Sequence, residues 1–106
     1  MSDAIKDYEK LVTSFDGIQD VATGQMFGKA CLKVSGKAFI AQHKDAVVFK
    51  LLDPEHGKAI ALSGAVLWDP SGKGRPMKEW VALPSAQNKH FKKLSLAALE
   101  YVSNIS

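Results

Sequence analysis

Apolar residues at Ala4, Ile5, Tyr8, Leu11, Val12 and Phe15 recur at intervals of three and four, leaving Lys6, Asp7, Glu9 and Lys10 on the opposite side. This spacing predicts an amphipathic helix over residues 3–15, with Ser2 or Asp3 as its cap and Asp16-Gly17 as its stop. From Met26 the period drops to two. Residues 26–34, 37–43 and 46–51 are short runs rich in Val, Ile and Phe, and Ser35-Gly36 and Lys44-Asp45 divide them. They predict a three-stranded antiparallel meander around which the rest of the chain is organised.

The turns set the expected register. With Ser35-Gly36 as a two-residue turn, Val34 faces Lys37, Leu32 faces Phe39 and Ala30 faces Ala41. One face then carries Ala30, Leu32, Val34, Phe39 and Ala41. Val47, Phe49 and Leu51 join it only if the second turn is odd in length, as Lys44-Asp45-Ala46 would be, because a one-residue slip reverses a strand. The opposite face holds Lys29, Cys31, Lys33, Ala38, Ile40, Gln42, Val48 and Lys50, a mixture of apolar and basic residues.

The remaining segments complete a two-layer pattern. Residues 18–25 read as an edge strand or an ordered loop, and Asp53-Pro54-Glu55 starts a short helical piece within 52–62. Residues 65–68 and 77–83 read as two further strands around the loop 69–76, and Phe91, Leu94, Ala98, Tyr101, Val102 and Ile105 mark one face of a long helix over 86–105. The expectation is a single α+β domain, 1–106, with a mostly antiparallel five-stranded sheet and the N-terminal and long C-terminal helices on one face.

Composition agrees with a folded domain: 106 residues, 46% hydrophobic and 24% charged, are enough for one core. No apolar run is long enough for a membrane helix, Met1-Ser2-Asp3-Ala4-Ile5-Lys6 lacks the order of a signal peptide, and Cys31 stands alone. These features place the expected protein in the cytoplasm, away from membranes. Charge is asymmetric. Residues 1–25 hold two lysines and five carboxylates, and residues 26–106 hold twelve basic and six acidic groups, so a net of −3 is followed by +6. Such a basic region suits an acidic partner or nucleic acid.

Candidate chemistry is sparse. His43, His56 and His90 have no metal-ligand spacing, so neither a metal nor a cofactor is expected. Cys31 would need neighbouring cations such as Lys29, Lys33 and Lys50 to act as a nucleophile, and a buried, inert thiol is the simpler reading. Ser71-Gly72-Lys73-Gly74-Arg75 could cradle an anion through its amides, yet it lacks the Walker pattern and reads first as a hairpin loop. Trp68 and Trp80 flank it, where they could contact each other as core or edge-covering residues. There is no pair of carboxylates, triad or cofactor fingerprint, so an enzyme is not expected.

Met26-Phe27-Gly28, Ser35-Gly36-Lys37 followed by Phe39, Val47-Val48-Phe49-Lys50-Leu51, and the run from Gly74-Arg75-Pro76-Met77 to Trp80-Val81-Ala82-Leu83-Pro84 together resemble the N-terminal domain of TfoX/Sxy-type bacterial competence regulators. The resemblance spans roughly residues 4–103 and rests on the order and spacing of short motifs. It implies a two-layer α+β fold similar to YjbR-like proteins and type III secretion chaperones, and a regulatory role without catalytic residues. Full competence regulators carry a second, C-terminal domain that this sequence does not contain, and Lys29 stands where many relatives have glycine.

The leading functional expectation is a regulatory or protein-interaction module, with another protein or a second copy of the chain as its partner. Cys31, Ile40 and Val48 are the candidate dimer face. The alternative is a non-specific nucleic-acid binder using the basic sheet face and helix 86–105. Lys29, Lys33, Lys50, Arg75, Lys89, Lys92 and Lys93 are its candidate contacts, shared with the partner surface.

Overall fold

The computed structural model describes residues 3–70, 73–74 and 76–105. Ser2 as a cap, the side chain of Ile105, and Ser71, Gly72 and Arg75 of the loop lie outside the described residues. The chain runs through helix α1 (Asp3–Ser14), strands β1 (Val21–Met26), β2 (Lys29–Val34), β3 (Lys37–His43) and β4 (Ala46–Lys50), and helix α2 (Glu55–Ile60). Strands β5 (Val66–Trp68) and β6 (Met77–Pro84) follow, then a 3-10 segment (Ser85–His90) and helix α3 (Phe91–Ile105). The strands form one antiparallel sheet in the order β1-β2-β3-β4-β6-β5.

The sheet has six strands, not the expected five, because the ambiguous segment supplies β1. Its residues Val-Ala-Thr-Gly-Gln-Met have a weak apolar alternation, which suits an edge strand that buries little of either face. Met26-Phe27-Gly28 is also not a strand start. Met26 pairs with Lys29, and Phe27 and Gly28 form the tight turn between them with φ of 54° and 74°.

The meander shows a compensated error of register. Val34 does face Lys37, but Leu32 pairs with Ile40 and Cys31 with Ala41, because β3 bulges at Phe39. Phe39 and Ile40 therefore both enter the core beneath the helices, and Ala41 moves to the other face. The second turn is the two-residue Lys44-Asp45, closed by the His43–Ala46 pair. The odd residue expected in that turn sits in the bulge instead. Val47, Phe49 and Leu51 consequently still reach the helix side. Ile40, assigned by simple alternation to the open face, belongs with them.

Helices α1 and α3 cover this side. Ala4, Tyr8, Leu11 and Phe15, on the stripe expected for the first helix, pack with Phe39, Phe49, Leu51, Phe91, Leu94, Ala98 and Val102 in the main core. Gly17, at φ 82°, follows the end of α1. Asp7, expected on the solvent side, is 8% exposed and accepts a long hydrogen bond, 3.4 Å, from Asn88 Nδ2. Burial drives the Tyr8 hydroxyl up to about 12, with the Cys31 thiolate adding to the effect.

The expected helix 86–105 is broken at its start. Residues 85–90 form the 3-10 segment, with Gln87 outside helical geometry at φ −101°, ψ 17°, so α3 begins at Phe91. Tyr101 is half-buried and donates its hydroxyl proton to Glu79 of β6. Helix α2 is shorter than expected, and the Asp53 carboxylate accepts from Gly57 N–H at 3.0 Å. Among the described residues, no helix is long and apolar enough to cross a membrane.

Candidate interaction face

Among the described residues no helix lies over the opposite side of the sheet, yet it holds a second, smaller core. Alternation brings Cys31, Ala41, Val48 and Ala82 to this side from β2, β3, β4 and β6. These small residues form a floor on which two large rings can lie. Trp68 and Trp80 fill the space above, with ring centroids 5.2 Å apart and planes inclined at 59°. Trp68 ends the outermost strand β5, but its ring lies 6.2 Å from Phe27 at the far end of the opposite edge strand. The sheet therefore curls over its own cluster, leaving Trp68 at 2% exposure and Trp80 at 4%.

A hydrogen bond locks the corner. Trp68 Nε1–H donates to His43 Nδ1 at 2.7 Å, so Nδ1 must be unprotonated and the neutral ring carries its proton on Nε2. Burial lowers the His43 pKa, and Lys29 and Lys44 lower it further. Cys31 is wholly buried, and burial raises its thiol pKa; Lys33 opposes this as the smaller effect. The lysines thus do not activate Cys31, which packs as a small apolar residue.

The proposed dimer face is rearranged by these contacts. Cys31 and Val48 lie under the tryptophans with no exposed surface, and Ile40 is on the helix side. What this face offers to solvent is its rim and tip. Lys29, Lys33 and Lys50 stand on it; Lys50 Nζ is 6.0 Å from the Trp80 ring centre, and the Lys33 chain lies across Gly24 of β1. The strands carry a single carboxylate, Glu79, held by Tyr101 of the helix layer. The helix-free face is consequently basic.

Lys89, Lys92 and Lys93 are exposed in the other layer, on the 3-10 segment and the first turn of α3. The sheet separates them from Lys29, Lys33 and Lys50, so the candidate cations form two surfaces instead of one strip. Arg75 lies outside the described residues.

The residue that alternation and charge did not single out is Phe27. It is 62% exposed at the hairpin tip, in a left-handed conformation that disfavours bulky side chains. Its sequence signal is the position of Phe27-Gly28 between Met26 and Lys29, which is legible only once the preceding segment is known to be a strand. Backbone strain combined with apolar exposure is a feature of contact sites.

Other candidates are absorbed by structure. In the 69–76 loop, Gly74 N–H already donates to the Asp69 carboxylate at 2.8 Å, so an internal anion occupies that amide. His56 Nε2–H donates to the Lys78 carbonyl at 2.7 Å, and among the described residues no cluster of three metal-ligating side chains occurs. Clefts of about 230 Å³ (Leu52, Asp53, Tyr101) and about 200 Å³ (Lys58, His90, Lys93) open on the helix layer, below the usual size of a small-molecule site, and wider, shallow depressions of about 350 Å³ (Asp7, Leu11, Phe91) and about 430 Å³ (Lys6, Glu9, Thr13) run along α1. Comparison with protein-family models, with curated proteins and with solved structures finds no match to this chain.

Proposed function

We propose that this chain is a non-enzymatic interaction module that docks an acidic partner protein on the helix-free face of its sheet. This is a regulatory role of the kind implied by its resemblance to TfoX-type N-terminal domains, in a cytoplasmic setting where Cys31 stays reduced. The observation that carries the reading is Phe27, exposed at a strained turn and set edge-on against the buried Trp68. An aromatic anchor on a rigid support, with Lys29 beside it and Lys33 and Lys50 farther along the same sheet face, has the make-up of a binding hot spot. A second copy would have to use residues other than Cys31, Ile40 and Val48, because each chain buries these within itself.

A second reading is favoured by the scarcity of carboxylates on the strands, where Glu79 is the single one among the described residues: single-stranded nucleic acid tracked by the same three lysines. The tryptophans would not serve it as stacking platforms, since both are buried. Size-exclusion chromatography with light scattering at low salt distinguishes the two, using poly-glutamate as acidic polypeptide and a short single-stranded DNA as nucleic acid. Co-elution with poly-glutamate that Lys50→Glu and Phe27→Ser each weaken supports the module. Binding of DNA alone, with steep loss as salt rises, supports the second reading.

A further inference from the structure

The β1 edge combines three features that the interaction-module reading does not by itself require. First, its backbone is open. Met26 and Lys29 close a two-residue turn as a hydrogen-bonded pair, so Ala22, Gly24 and Met26 direct their backbone groups to β2 while Val21, Thr23 and Gln25 direct theirs outward. The Asp20 carbonyl, accepting from Ser35 N–H at 2.9 Å, continues the inward series. Val21 N–H is taken by the Ile18 carbonyl at 3.2 Å, which leaves the Thr23 and Gln25 N–H groups aimed at solvent. Among the described residues no strand pairs with this edge.

Second, β1 lacks the usual protection. It has no proline and no charged residue of its own along six residues, whereas the opposite edge strand β5 has only three residues. Third, a single charge is laid over it from the neighbouring strand. A Cβ at Gly24 would meet Lys33 Cε at 3.0 Å and Nζ at 3.5 Å, so the lysine stem crosses the outer strand at the one position that has no side chain. The ammonium is thereby presented at the middle of an open edge.

From these features we infer that the β1 edge is a strand-addition site for an extended acidic segment of a partner protein, which places a carboxylate opposite Gly24 to meet Lys33. The Thr23 and Gln25 amides supply affinity through the backbone ladder, and Lys33 selects the sign of the incoming charge. The same lysine excludes the second copy as occupant. A two-fold pairing of β1 with itself centres near Gly24 and brings two Lys33 ammonium groups together without a counter-charge. In the turn that precedes β1, exposed Ile18 adds an apolar side chain near the start of the edge.

This inference rests on the interaction-module reading, and the experiment separates their failures. Two short capped peptides, one alternating valine with glutamate and one alternating valine with lysine, are titrated to about 1 mM into the full chain while amide exchange is followed by NMR. The expected result is binding of the glutamate peptide with slowed exchange at Thr23 and Gln25. Lys33→Gln should weaken it and Lys33→Glu should weaken it about tenfold, transferring preference to the lysine peptide. Binding that perturbs Lys50 and Phe27 but leaves Thr23 and Gln25 exchange unchanged overturns the edge site and keeps the module. Equal binding of both peptides overturns the role of Lys33. No binding of either peptide, with single-stranded DNA shifting Lys29, Lys33 and Lys50 instead, overturns both.

Discussion

The two faces of the sheet solve the same burial problem differently. On one, α1 and α3 bring long side chains such as Leu11, Phe91 and Leu94 onto Phe39, Phe49 and Leu51. On the other, two tryptophans and a curled sheet cover a floor of Cys31, Ala41, Val48 and Ala82 without any helix. The first arrangement needs a wide apolar surface and leaves a helix layer outside. The second closes over a small area and keeps the rim free for Lys29, Lys33, Lys50 and Phe27. A face that supplies its own cover can thus be buried at its centre and available at its edge, and the proposed interaction surface lies on that side.

The largest effect should come from the helix side. Phe49→Ala removes a wholly buried ring and is expected to cost about 3–5 kcal/mol, read from the midpoint of chemical denaturation. Trp80→Ala tests whether the helix-free side is a core in the same sense. The expected loss is about 3 kcal/mol, and a value within about 0.5 kcal/mol of the natural chain would mean that the face is ordinary surface.

Acid should act on the helix-free side through His43. The His43 pKa is lowered in the folded chain, so above its ordinary value of about 6.5 both folded and unfolded states hold the neutral ring and its stabilising contribution is complete. As pH falls below that value the unfolded state takes up the proton first, and stability is lost until the depressed folded pKa has been passed. Protonation at Nδ1 also removes the acceptor for Trp68 Nε1–H. Denaturation midpoints measured between pH 7.5 and pH 5 should fall less in His43→Gln than in the natural chain, together with a smaller change in tryptophan emission; parallel slopes would remove His43 from the account.

Cys31 should be silent by comparison. Its buried thiol is expected to react with an aromatic disulfide reagent only as fast as the chain opens, so rapid labelling under native conditions would show that the tryptophan cover is loose. The smallest effect on stability belongs to Phe27. Phe27→Asn replaces a bulky residue at positive φ by one that tolerates it and should change stability by no more than about 0.5 kcal/mol, in either direction, while weakening acidic-partner binding. A large stability loss instead would mean that Phe27 is a lid on Trp68 and not a contact.

The stripe Ala4, Tyr8, Leu11 and Phe15 was legible because helical periodicity is local, and the alternation of Val47, Phe49 and Leu51 because a buried strand face repeats every two residues. The basic character of Lys29, Lys33 and Lys50 was equally plain. Their separation from Lys89, Lys92 and Lys93 was not, since one-dimensional spacing does not say on which side of a sheet a helix packs. Ile40 escaped for a related reason. The bulge at Phe39 is decided by how well two large side chains fit under α1 and α3, and no local propensity encodes that fit.

By itself, then, the sequence determined the α+β class, the positions of most elements and the charge of the candidate surface, because these follow from local periodicity and composition. Only the tertiary structure decided that β1 is a sixth strand with an open outer edge, that Trp68 crosses the sheet to meet Phe27 and His43, and that Lys33 lies over Gly24. Each of these depends on contacts between segments distant in the chain or on neighbouring strands, where packing and not local propensity selects the arrangement.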